Sequence, residues 1–194
     1  MKRLLFIVLT WVFPTFSFAH PHVFMEQSLV LEMEGSLVKG LWVEWSFDEM
    51  MTSAVSLDFP PDAQGKWTEI NHKKLKETYF DNLESVGYFI HLYINNTPFT
   101  MENPMDFQAY VSAGKLTYRF FVNINKFGLP GNSLTVGIYD DTFYCDIEFR
   151  GENSLEILSK DPLAKNVVSK LVPNPKRKYW NDTITPVEAI FQFK

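Results

Sequence analysis

His20 and His22 stand on either side of Pro21, and they are two of only four histidines in a chain of 194 residues. Imidazoles at that spacing are ligands for borderline metals such as zinc, nickel and copper. Their place in the chain sharpens the point. Lys2 and Arg3 form a basic leader, Leu4 to Phe13 an apolar run, and Ser17-Phe18-Ala19 the small residues a signal peptidase requires. Cleavage after Ala19 makes residues 1–19 a signal peptide and His20 the new terminus. A terminal histidine offers its α-amine and its ring together, and His22 adds a second ring. Two imidazoles still leave a zinc shell one or two ligands short.

The missing ligands are sought among acids at strand ends. Asp48 follows a strand ending at Phe47, and Asp140 precedes Asp141 between two aromatic stretches. Each also has an ordinary local role. Asp48 is placed to cap a helix, and Asp140 is a favoured turn residue. On the residues alone the local roles are the better reading. His72 and His91 fall inside a helical and a strand pattern and read as packing or surface residues.

The elements that must position these groups are mostly strands. Val23 to Met33 and Leu37 to Phe47 alternate about the turn Glu34-Gly35-Ser36 and read as a hairpin. Asp48 to Leu57 is compatible with a short helix, and Asp58 to Lys66 is a loop rich in proline. Thr68 heads a helical pattern reaching about Val86, with Gly87 placed to end it. Strands follow at 88–95, 98–101, 105–112, 115–124, 133–139, 142–150, 155–158, 167–172 and 187–193, with a polar, basic linker at 173–182. Ala113-Gly114 and Asp140-Asp141 read as hairpin tips. Short strands around one helical insertion (about residues 68–86) predict a mainly β antiparallel sandwich, with residues 20–194 as one β-rich exported domain.

Composition narrows the partners. The net charge of −5 becomes −7 once Lys2 and Arg3 are removed with the leader. An acidic chain is poorly suited to nucleic acid, whose phosphates dominate affinity, and well suited to attracting cations. No second apolar run approaches a membrane span. Cys145 is the only cysteine, so no intramolecular disulfide forms, and alternation places it with Phe143, Ile147 and Phe149 as a buried small hydrophobe. Eighteen Phe, eight Tyr and five Trp supply the core instead. The loop from Asp58 to Asn71 resembles a calcium loop only through Asp62, Gln64 and Gly65. It lacks the first carboxylate and the bidentate Glu, so calcium affinity is poor. Nucleophile-elbow, phosphate-loop and His-Glu-x-x-His motifs are absent from the sequence.

Four segments occur in order: His20-Pro21-His22-Val23-Phe24, Trp45-Ser46-Phe47-Asp48-Glu49, Asn82-Leu83 with Gly87-Tyr88-Phe89, and Tyr139-Asp140-Asp141-Thr142-Phe143-Tyr144. From His20 to about Phe149 this set resembles the ZevA-like family, the periplasmic component of an uncharacterised ABC-type transport system. The resemblance implies acquisition of zinc, and by association nickel or cobalt, beside a membrane permease of the nickel/cobalt-transporter type. Because Asp48 and Asp140 fall inside its motifs, it also moves both acids from local roles toward ligands. The expectation is a non-enzymatic periplasmic metal-handling protein. His20, His22, Asp48 and Asp140 would hold Zn2+, or Ni2+, Co2+ or Cu2+ in its place. Two other readings stand beside it: an N-terminal histidine-brace copper enzyme, and an adaptor that docks on a permease without binding metal.

Overall fold

The computed structural model describes residues 21–126, 132–160 and 166–194. The expected signal peptide and His20 lie outside the described residues.

Strand β1 (Val23–Glu34) turns at Gly35 into β2 (Leu37–Phe47), and the two pair antiparallel from Met25↔Phe47 to Glu34↔Leu37. Gly35 has φ 60°, the left-handed conformation such a tight turn demands. Two helices follow: α1 (Glu49–Asp58), and α2 (Glu69–Leu75), which continues as a π-turn over 76–80 and a 3₁₀ stretch over 81–89. Then come β3 (Ile90–Ile94), β4 (Thr97–Phe99), β5 (Met105–Ser112), β6 (Lys115–Lys126), β7 (Ser133–Ile138), β8 (Cys145–Phe149), β9 (Leu155–Ser159), β10 (Val167–Pro173) and β11 (Val187–Phe193).

These strands form two sheets. One runs β5-β6-β2-β1-β8, with β9 also on β1; the other runs β10-β11-β7-β3-β4. Alternation explains their packing. Leu29, Leu31, Leu41, Val43 and Trp45 of the first sheet and Leu134, Val136, Ala189, Phe191 and Phe193 of the second are buried in one core. The result is the expected mainly β sandwich with a helical insertion. Phe80, from that insertion, packs 4.3 Å from Phe107 and 4.9 Å from Phe120 between ring centroids. Burying such a ring stabilises by about 2–3 kcal/mol, so Phe80 pins the helices to β5 and β6.

Three elements differ from expectation. The segments around Asp140-Asp141 are not a hairpin: β7 belongs to one sheet and β8 to the other. Asp140 marks the corner where the chain crosses between layers. Both β8 and β9 run parallel to β1, with Val23↔Cys145 and Leu29↔Leu155 among the pairs, so the first sheet is not purely antiparallel. The stretch at 173–182, expected as a polar, basic linker, is packed instead. It folds over the outer face of the second sheet, where the Tyr179 ring stacks on Tyr139 at 4.7 Å. Arg177 binds both carboxylate oxygens of Glu188 at 2.9 and 3.0 Å there.

Candidate metal site

Asp48 is where sequence and structure meet most closely. Its carboxylate accepts the N–H of Met51 at 2.7 Å, which caps α1, and the N–H of Phe24 at 3.2 Å. Its own N–H donates to Phe24 O at 3.0 Å. One carboxylate therefore closes the β1–β2 ladder and starts the helix. His22 lies two residues before Phe24, roughly 7 Å along an extended chain. It is exposed, its N–H donates to Tyr144 O at 2.8 Å, and its ring sits 5.0 Å from the Tyr144 ring. Backbone and ring together fix the imidazole at the head of β1.

Asp140 is placed differently. It is 5 % exposed, and its carboxylate accepts four bonds: Thr142 N at 2.9 Å, Thr142 Oγ1 at 2.7 Å, Tyr144 N at 3.1 Å and Cys145 N at 3.0 Å. A carboxylate offers about four lone-pair sites, so this one is saturated by its own loop. Asp140 thus positions Tyr144, the residue that holds His22. Among the described residues no group of three or more His, Cys, Asp or Glu side chains is arranged to hold a metal ion. The expected assembly of His22, Asp48 and Asp140 around one ion has no counterpart there, and His20 lies outside the described residues.

Beside Asp48 the outer face of the first sheet carries a cavity of about 240 Å³, lined by Glu26, Asp48, Asp146, Glu148 and Lys115 among others. Glu26 is matched by Lys115 at 3.2 Å and Arg150 at 3.8 Å. Asp48, Asp146 and Glu148 have no cationic partner among the described residues, so the cavity is negative. Burial pushes the Asp146 carboxyl above its usual range.

The remaining polar candidates are structural. His72 Nε2 accepts the Ala109 N–H at 3.1 Å, and His91 stacks flat on Tyr139 at 4.0 Å. Burial, with help from Asp140, pushes the Cys145 thiol up to about 12, which suits an inert hydrophobe. Sequence reasoning missed Asp146. Its alternation with Cys145 and Ile147 put it on the outward side, where a charge looked unremarkable.

Comparison with known proteins gives a family but no activity. Residues 5–188 match the family described as "Protein of unknown function (DUF1007)", and the chain belongs to that family. Over 133 residues it is 30% identical to an "Uncharacterized 15.5 kDa protein in trpE 3'region" of Spirochaeta aurantia, covering 69% of this chain and 94% of that protein. Over 164 residues it is 28% identical to an uncharacterized protein of Haemophilus influenzae, covering 82% of this chain and 76% of that one.

Proposed function

We propose that the protein is an exported, periplasmic, non-enzymatic handler of a divalent transition metal. Zinc comes first, with nickel, cobalt or copper in its place, and the ion passes to a membrane permease of the nickel/cobalt-transporter type. One observation carries the reading: the exposed His22 imidazole is held against Tyr144 at the head of β1, two residues before Phe24, which lines the negative cavity with Asp48. His20 and His22 capture the ion, the cavity's field draws cations toward them, and Asp48, bonded to Phe24 N two residues beyond His22, completes the shell. Asp140 contributes by shaping the Tyr144 loop.

The test is native mass spectrometry of protein exported and processed in cells, which reports the N-terminus and any bound metal together. Processing after Ala19 and one zinc per chain are expected. Zinc at a hundredfold excess over its Kd then stabilises the fold by about 2.7 kcal/mol in a thermal melt, and His22→Ala removes that gain. Wild-type protein with no bound metal and no zinc-dependent shift overturns the proposal in favour of an adaptor. Substrate oxidation with copper and a reductant, above that of free copper, overturns it in favour of a brace enzyme.

A further inference from the structure

Strand β8 closes one edge of the first sheet: β1 pairs with it on one side, and no described strand lies on the other. Parallel ladders turn alternate residues toward the neighbour. Tyr144 O accepts from His22 and Val23, and Arg150 N donates to Gln27 O. The residues between them in phase, Asp146 and Glu148, therefore turn their backbone groups to β1, and Ile147 turns its N–H and C=O outward.

On that open side a cleft of about 340 Å³ runs between β8 and the second sheet. Ile147, Phe149, Leu171 and Val187 give it an apolar wall, and Asp146 and Glu148 stand at its rim. Two arginines that follow β8 in sequence are committed elsewhere. Arg150 serves Glu26, Glu44 and Ser46, and Arg177 serves Glu188 and Asn96. Neither Asp146 nor Glu148 has a hydrogen bond or ion pair with a described side chain.

We infer that this cleft is a docking groove for an extended, basic segment of a partner protein, which adds a short strand to the free edge of β8 and sets an Arg or Lys against Asp146 and Glu148. Three features converge. Strand addition supplies main-chain affinity at an open edge, and side-chain pockets beside it supply specificity. The apolar wall accepts the alternate, uncharged side chains of such a segment. The two carboxylates demand positive charge, and Asp146 is already desolvated without a partner, as its raised pKa reflects, so a guanidinium relieves a standing cost. Tyr179 lies in the same negative field: burial first, then Asp146, Asp140, Asp141 and Glu148, push its phenol up to about 12. The inference does not depend on metal binding.

The experiment titrates the processed protein, in excess chelator, with a fluorescent peptide alternating arginine and valine. Saturable binding is expected. Asp146→Asn with Glu148→Gln weakens it by about tenfold or more, as for paired charges at an interface. N-methylation of alternate peptide amides weakens it comparably, and bound peptide slows hydrogen exchange at Ile147. Circular dichroism confirms that the double variant is folded. The inference is overturned if the parent peptide does not bind, if the double variant binds it equally well, or if N-methylation has no effect. Because chelator is present throughout, failure here leaves the zinc reading standing, and a failed zinc experiment leaves this one standing.

Discussion

His72 Nε2 accepts the backbone N–H of Ala109 at 3.1 Å, joining the helical insertion to β5 just beyond the point where the β5–β6 register shifts. The shift lies between Met105 and Gln108, and a bulge leaves ladder groups that need other partners. His72 supplies one, and Phe107 packs against its ring at 5.5 Å.

That bond requires an unprotonated Nε2, which makes it sensitive to acid. Burial first, then the Lys76 charge, lower the His72 pKa below 6.5. A depressed histidine pKa means the unfolded chain binds the proton more readily, so stability is whole above about pH 6.5. It falls as pH drops from there toward the folded-state value and levels off below it. Urea denaturation between pH 7.5 and pH 4.5 is expected to show this loss, and His72→Gln is expected to flatten that part of the profile. An unchanged profile in the variant would assign the acid sensitivity to other groups.

The Arg177–Glu188 pair is the strongest test of how the stretch at 173–182 is held to the second sheet. Glu188 is 2 % exposed and takes its donors from Arg177 and Asn174, while the Arg177 guanidinium lies 3.3 Å from the Tyr93 ring centroid. Removing one member of a buried pair costs about 3–5 kcal/mol, because the other charge is stranded. Arg177→Ala is therefore expected to destabilise by about that much. Adding Glu188→Gln is expected to recover part of the loss, since no stranded charge remains. Chemical denaturation of the single and double variants measures both, and a double variant weaker than the single one would refute the account.

Asp140 gives a sharper contrast between isosteres. With four donors on one buried carboxylate, Asp140→Ala is expected to cost on the order of 3 kcal/mol. Asp140→Asn does not rescue it, because an amide turned to serve Thr142 points its NH2 at the N–H groups of Tyr144 and Cys145. Both variants are expected to label faster at Cys145 with a thiol reagent as the corner loosens. A stable Asp140→Asn protein with a protected thiol would show that the loop has other supports.

The particular successes and misses of the sequence reading have one physical origin. The β1–β2 hairpin and the β5–β6 hairpin at Ala113-Gly114 were legible because alternation and a left-handed turn act within a few residues; Ala113 and Gly114 have φ 51° and 78°. The corner at Asp140 looked identical in sequence, since alternation says which face a side chain takes but not which sheet its strand joins. Arg177 fell within a stretch that read as a polar, basic linker because its buried partner, Glu188, is eleven residues away in a strand. Helical spacing over 68–86 announced a helix, yet it could not distinguish the α, π and 3₁₀ hydrogen bonding that succeed one another there. Of the proposed ligands, Asp48 and Asp140 each had a visible local role, and the structure realises both.

Asp48 allows capping to be separated from metal binding. One carboxylate oxygen, Oδ1, holds Met51 N, and the other, Oδ2, holds Phe24 N; asparagine has one oxygen, which keeps the helix cap and turns its NH2 toward Phe24 N. Asp48→Ala is expected to cost about 1 kcal/mol of stability in the metal-free protein. Asp48→Asn is expected to keep the cap, at which asparagine and aspartate serve almost equally well, and to lose the weaker bond from Phe24 N, for a cost of about 1 kcal/mol. Zinc responds to a different property. A hard anionic oxygen bonds the ion at about 2.0–2.2 Å, and a neutral amide oxygen replaces it poorly. If Asp48 completes the shell begun by His20 and His22, Asp48→Asn weakens zinc by tenfold or more, while the apo melting temperature falls no further than in Asp48→Ala. If Asp48 only caps, zinc affinity follows His20 and His22 and is unchanged in Asp48→Asn. Zinc titration by calorimetry, paired with apo melts of the three proteins, separates the two cases.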